Sequence, residues 1–431
     1  MLSRNTIFLR FFVFVLIILV SLIYCLFYLG VKTGYAENKN KIVLKGVVSG
    51  AGAPNYLGEV SWLSVSGNYA FTVSYEDNWL SIFDVSNPSA PAFISGIEVQ
   101  GYEGKDYGAF SVFATGDYAF VYDDGGMILI YDVSDPVNKG PILLFKDNLD
   151  SKEKYKQAES AWGCVFVSGN YLYTVDEVTD MLAVFDLTNI SSPAWVGKIS
   201  GGGAPNYLKD PISVTVSGNN AYVASTGDDA LSIFDISNPK TPAFKGVIKG
   251  AGEPNYLGGI NSVFIIGNYA YTVSEDDDSL SIIDISSPSN PTLKGVIRGG
   301  GKPNYLDSAS DVVVVNNYAF TASPFDNAIA VFDVIDPSSP EIVDVISGAG
   351  SPNYLKAVDS LAVSGNYLYA TAYIDNALSI YDISSFVSEK RTGGETAIDN
   401  GEDGEEAVIP ADDGEASVLR QWLRQNNPYS I

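Results

Sequence analysis

One stretch recurs along this chain at a nearly fixed interval, and that recurrence limits the folds open to it. It is first written LSIFDVSNPSAP, residues 80–91, and its aspartate returns as Asp84, Asp132, Asp186, Asp235, Asp284, Asp333 and Asp382. The steps between them are 48, 54, 49, 49, 49 and 49 residues. A fixed period of this length marks a repeat architecture, in which each unit buries its apolar faces against its neighbours.

A clean copy of the unit runs from Gly259 to Gly299. GINSVFII, YAYTVS, LSIIDISS and TLKGVIRG are short apolar or β-branched runs, separated by Gly267-Asn268, EDDDS and PSNP. Runs of this length between tight-turn residues read as a four-stranded antiparallel meander. The inner runs are apolar on nearly every residue, so both faces of each sheet are covered, as when one sheet stacks on the next. Seven such sheets make a seven-bladed β-propeller, all-β, over residues 42–386. The last copy stops after its third strand, LSIYDISS at 378–385, while an orphan IVLKGVVSG precedes the first at 42–50. Residues 42–49 therefore supply the outer strand of the last blade, close the ring and cover its exposed edge.

The third strand and its exit turn carry a family resemblance. LSIFDVSNPSAP, LAVFDLTNISSP (182–193), LSIFDISNPKTP (231–242), LSIIDISSPSNP (280–291) and IAVFDVIDPSSP (329–340), each after a GNYAF-like turn, resemble the LVIVD-repeat family of propellers. YDVSDPVNKGP at 131–141 departs from the pattern, and the last copy is truncated. The resemblance implies the fold and no particular activity.

Composition removes several functions. The formal net charge is −26, which argues against nucleic acid as a partner, since phosphate binding needs clustered Lys and Arg. There is no histidine, so His-based triads, His general bases and His metal sites are absent. Of the two cysteines, Cys25 lies in an apolar run, so no disulfide framework exists.

That run, residues 11–29, holds no charge over 19 residues. As a helix it would reach about 28 Å, close to the ~30 Å hydrocarbon core of a bilayer. Two readings fit residues 1–36: a cytoplasmic stub with a transmembrane signal-anchor at 11–29, or a signal peptide cut after Ala36. Either sends the propeller out of the cytoplasm, to the cell envelope or surface or, after cleavage, into secretion.

At the other end, residues 387–416 form an acidic linker, with nine carboxylates and no base between 393 and 416. In the segment that follows, 417–425, Val418, Leu419, Trp422 and Leu423 share one face of a short amphipathic helix.

The candidate binding residues lie in the loops between blades. GAGAPNYL (50–57) and its four relatives place Asn55, Asn206, Asn255, Asn304 and Asn353 before Tyr56, Tyr207, Tyr256, Tyr305 and Tyr354. One reading seats each asparagine in a left-handed turn and packs each tyrosine between blades. The other makes them a ring of binding groups around the central opening. Antiparallel topology puts these loops on the same face as the second-to-third turns, which carry Glu76-Asp77-Asn78, Asp123-Asp124, Asp180, Asp228-Asp229, Asp276-Asp277-Asp278, Asp326-Asn327 and Asp375-Asn376. Such residues suit hairpin turns, and would also suit Ca²⁺ or a cationic partner. The PNYL pattern is missing from 98–108, and the loop 147–160 is longer, with Lys152, Lys154, Tyr155 and Lys156 leading to Trp162. Unique loops on a repeated scaffold are favoured places for a binding site.

These features point to a non-enzymatic binding or scaffold propeller, tethered through 11–29, that meets an unknown protein or glycan partner on its PNYL face. The alternatives are a Ca²⁺-dependent hydrolase or lactonase with its metal in the central channel, and a glycan-binding surface protein. No catalytic residue or metal ligand is assigned, and Ca²⁺ is the one cofactor considered.

Overall fold

The second and third strands of every repeat are buried on both faces. In Tyr69–Ser74 all side chains but the first are buried, and in Trp79–Asp84 all but the two ends. A strand can hide both faces only between two other sheets. The computed structural model describes residues 41–100, 108–148 and 162–388. The expected span 11–29, the loop residues Lys152, Lys154, Tyr155 and Lys156, most of the acidic linker and the segment 417–425 lie outside them. Among the described residues, no helix is long and apolar enough to cross a membrane.

The chain divides into two units at Lys41, and the second contains seven four-stranded antiparallel sheets, each a blade. Blades 1 to 6 run in chain order over Val60–Glu98, Ala109–Asn148, Gly163–Ser200, Pro211–Lys249, Ile260–Arg298 and Asp311–Ser347. Blade 7 combines Val358–Asp382 with Val43–Ser49. The first strand of each blade neighbours the first strands of the blades on either side, all the way round, so these strands wall the central channel.

Ring closure follows the strand pairing expected from the sequence. Val43 pairs with Asp382 and Ser49 with Ala377, antiparallel, with an irregularity between Leu44 and Gly46. Blades 3, 4 and 5 carry an irregularity in their outer strands where Gly197, Gly246 and Gly295 stand. These glycines make room for the repeated exit turn of the next blade. A Cβ on Gly46, Gly197, Gly246 or Gly295 would lie 2.1–2.3 Å from the carbonyl oxygen of Pro88, Pro239, Pro288 or Pro337 in the next blade. The turn of one blade therefore seats directly on the outer strand of the blade before it. Blade 7 has no such turn, and the matching position in blade 6 is Asp344, whose Oδ2 accepts the Ile42 N–H at 2.8 Å. A short helix, Ser384–Val387, takes the turn's place, with Phe386 fully buried against Tyr318 and Phe320.

The first described strand begins beside Asp382, where the last strand ends. The described chain thus enters and leaves the ring on the same face. The PNYL loops and the second-to-third turns occupy the opposite face.

Candidate functional site

The seven repeated aspartates are accounted for by backbone geometry. Asp84, Asp132, Asp186, Asp235, Asp284, Asp333 and Asp382 each accept, through Oδ1, the N–H of the residue two positions on, at 2.8–3.0 Å. This is the Asx-turn bond that ends the strand and starts the exit turn.

The PNYL loops are equally regular, but the left-handed residue is not the asparagine of the first sequence reading. The residue held in the left-handed region is the tyrosine (φ 51–53° at Tyr56, Tyr207, Tyr256, Tyr305 and Tyr354), and the proline peptide before each asparagine is cis. The asparagines act through their side chains. Nδ2 of Asn55, Asn206, Asn255, Asn304 and Asn353 donates to the carbonyl six residues back, at the end of the previous blade's outer strand, at 2.6–2.9 Å. The leucines Leu57, Leu208, Leu257, Leu306 and Leu355 are fully buried between blades.

Three of the tyrosine rings meet side chains of the strands beside them. Tyr56 stacks on Trp79 at 3.8 Å and meets Phe93 of the outer strand, Tyr207 meets Phe244, and Arg298 lies over Tyr256 at 4.2 Å. At Asn55–Tyr56, Asn206–Tyr207 and Asn255–Tyr256 the pair therefore links the outer strands of adjacent blades. Local turn chemistry explains the difference: the asparagine amide finds an acceptor outside its own turn, which leaves the left-handed position to its neighbour.

The acidic turns hold these loops in place. Asp77 accepts Gly52 N–H (2.9 Å) and Gly58 N–H (2.6 Å), and Asp228, Asp277, Asp326 and Asp375 do the same in their own blades. The next turn residue reaches across the blade interface. Oδ1 of Asp180, Asp229, Asp278, Asn327 and Asn376 accepts an N–H from the following blade at 2.9–3.0 Å. The aspartates and asparagines of these turns thus accept backbone N–H groups that hold the loops and join the blades. Among the described residues, no three acidic or cysteine side chains converge to hold a metal ion.

What the repeats do not explain is the channel mouth on this face. Near the start of each inner strand most blades carry an irregularity, as between Val60 and Trp62 or between Val358 and Ser360. The residue there varies among blades: serine at Ser61 and Ser310, but Phe110, Ile212, Asn261 and Asp359 elsewhere. Blade 3 pairs Gly163 and Cys164 without interruption and has no such residue. The position after each second strand also varies, with Tyr75 and Tyr373, Glu177 and Glu275, and then Asp124, Thr226 and Pro324.

One side of this mouth is aromatic. Phe110 lies stacked against Trp162 at 5.7 Å and within 6.5 Å of Trp62, and Trp162 is 45% exposed. Trp162, expected to be part of the site, is placed here.

The rest is acidic and phenolic. Tyr373 Oη donates to Glu59 Oε2 at 2.7 Å, and Asn261 Nδ2 donates to Glu275 Oε2 at 3.1 Å. Burial pushes the Asp359 carboxyl up to about 7, with Asp311 and Glu275 adding to the shift. Burial also lifts Glu177 to about 7, with Asp210 and Asp176 beside it. Asp124 is raised to about 6 by burial, offset by the Tyr75 hydroxyl. Asp123, buried behind it, rises to about 8 for the same first reason. Cys164 is buried, and its thiol is pushed up to about 12, so it is no nucleophile. Further out, Phe325 is 75% and Ile374 is 52% exposed on the turns of blades 6 and 7.

Sequence reasoning passed over Trp62, Phe110, Asp359 and Glu275. Trp62, Phe110 and Asp359 carried a signal, since each stands at a repeat position where no other blade has the same residue.

The comparison with known families agrees with this architecture. The LVIVD repeat profile matches seven times, at residues 57–98, 108–145, 161–200, 210–249, 258–298, 307–347 and 356–388. The chain belongs to the LVIVD-repeat family. No curated protein matches this LVIVD propeller by sequence. Solved structures similar to it include a chain of a mitotic checkpoint complex, at 12% identity and TM-score 0.59, covering 81% of this chain and 94% of that one. Raptor from Chaetomium thermophilum is similar at 12% identity and TM-score 0.61, over 80% of this chain and 29% of that one. The computationally designed Ika8 protein is similar at 12% identity and TM-score 0.51, covering 77% and 98%. At such identities these likenesses show the fold alone.

Proposed function

We propose that this LVIVD propeller is a non-enzymatic binding module that engages its partner at the channel mouth of the PNYL face, without a bound metal. The observation that carries this reading is the contrast between the two classes of loop residue. Asn, Tyr, Leu and Asp of the PNYL face recur and are engaged in holding blades together. The residues that vary from blade to blade gather at the mouth, and Trp162, Phe325 and Ile374 stand exposed among or beside them. Exposed aromatic and aliphatic side chains on a rigid scaffold suit recognition.

Tethering through 11–29 outside the cytoplasm belongs to the same proposal. The first described strand starts on the face opposite the mouth.

The test places a photoreactive amino acid in living cells at position 325 or 374, and at position 335, an exposed isoleucine of the opposite face. The reading predicts a discrete crosslinked species from 325 and 374 and none from 335. Crosslinking from 335 alone would refute it. Protease added to intact cells tests the location, which predicts digestion of the propeller without lysis.

A further inference from the structure

On a chain of formal net charge −26, the outer rim of blades 4 and 5 is basic. The outer strand Ala243–Lys249 holds Lys245 and Lys249, and Thr292–Arg298 holds Lys294 and Arg298, with no acid in either. Lys302 follows in the next loop. The outer strand of blade 6, Glu341–Ser347, has the reverse content, Glu341 and Asp344 and no base. Lys249, Lys294, Arg298 and Lys302 are exposed. Lys249 stands over Tyr207 at 4.4 Å and Arg298 over Tyr256 at 4.2 Å, so two PNYL tyrosines keep bases at the rim. Of the five, only Lys245 forms an ion pair within 4.0 Å among the described residues, with Asp235 at 3.3 Å. Asp284 and Asp336 feel Lys294 from further away.

The sequence carries a matching anion close by. Residues 393–416, outside the described residues, hold nine carboxylates and no base. The described chain stops at Ser388, beside blade 6, where Asn316 Nδ2 donates to the Val387 carbonyl at 2.8 Å. Blade 6 is the neighbour of blade 5. Five extended residues reach about 17 Å and 24 reach about 80 Å, against about 24 Å for the length of a seven-residue strand. The acidic outer strand of blade 6 repels such a segment, and the basic rim beyond it attracts it.

We infer that the outer rim of blades 4 and 5 is the docking surface of the chain's own acidic segment, 393–416. This surface is separate from the mouth, and the inference does not rest on the binding reading above. Because segment and rim share one chain, they meet at an effective concentration of about 1 mM, and weak charge pairs suffice to hold them together. The contact is electrostatic, so salt weakens it.

The test is carbodiimide crosslinking of the purified full chain, which joins a carboxylate to a neighbouring lysine amine with loss of water. It is read by mass spectrometry on an equal mixture of isotope-labelled and unlabelled protein. The inference predicts crosslinks from Lys249, Lys294 or Lys302 to the carboxylates of 395–415, within single copies. They should vanish at 1 M salt, where charges are screened beyond about 3 Å. Lys139 and Lys146 of blade 2 are also exposed and should give none. The double substitution Lys249→Gln/Arg298→Gln, at exposed positions, should weaken the crosslinks at Lys294 and Lys302.

No crosslink to the rim overturns the inference, as do crosslinks spread equally over Lys139 and Lys146, crosslinks unchanged in the double variant, or crosslinks only between labelled and unlabelled copies. If the segment gives no crosslink and vesicles of anionic lipid protect the rim lysines from acetylation, the rim is a membrane surface and the inference falls. None of these outcomes bears on crosslinking from 325 and 374, which tests the mouth by itself.

Discussion

Asp77 and Gly52, 25 residues apart, are joined by a carboxylate whose two oxygens lie 2.9 and 3.0 Å from one amide N–H. The same carboxylate takes the N–H of Gly58 at 2.6 Å, so one side chain pins both ends of the PNYL loop. Asp77→Ala leaves two part-buried amides without their acceptor, at a cost of about 2 kcal/mol. The variant should melt a few degrees below the parent, and Asp277→Ala, in the same role, should match it. Thermal melts of the two variants check this.

Gly197 and Pro239 give a sharper prediction, because the distance leaves no room. A Cβ at 197 would stand 2.1 Å from the Pro239 carbonyl oxygen. Gly197→Ala should destabilise by at least about 2 kcal/mol, as overpacking does when the neighbour is backbone. Chemical denaturation measures it. A variant as stable as the parent would mean that the exit turn does not seat on the preceding blade.

Buried carboxyls give the protein a pH dependence with a definite sign. Asp123 is held at about 8, and Asp359 and Glu177 at about 7, chiefly by burial. Unfolded carboxyls titrate near pH 4. The folded state therefore binds more protons between these values, and stability falls as pH rises through 7 to 8. Asp123→Asn keeps the acceptor for the Gly125 and Met127 N–H groups and removes the titration. It should flatten the fall in melting temperature between pH 5 and pH 8.5, leaving the parent less stable than the variant at the upper end.

Blade number, strand order and ring closure were legible in the sequence, because each is written many times. The orphan strand at 42–49 could be matched to the other outer strands, and the pairing of Val43 with Asp382 follows from that match. The roles within the PNYL loop were not legible. Whether Asn55 or Tyr56 takes the left-handed backbone depends on an acceptor, the Ser49 carbonyl, that only the folded blade brings within 2.9 Å. The seat of Pro88 on Gly46 joins residues of different blades, so no local pattern shows it. The mouth escaped notice for the opposite reason. Phe110, Asn261 and Asp359 occupy one repeat position and share no chemistry, so a search for recurring residues discards them.

The central claim is that repeated residues build the ring and unrepeated ones bind. It is tested by measuring melting and crosslinking from position 374 together, in Asn255→Ala/Tyr256→Ala and in Trp162→Ala/Phe325→Ser. The account predicts that the first pair lowers the melting temperature and leaves the crosslink intact, whereas the second melts like the parent and loses the crosslink. The reverse pattern, a lost crosslink at unchanged stability in the Asn255/Tyr256 variant, would contradict it.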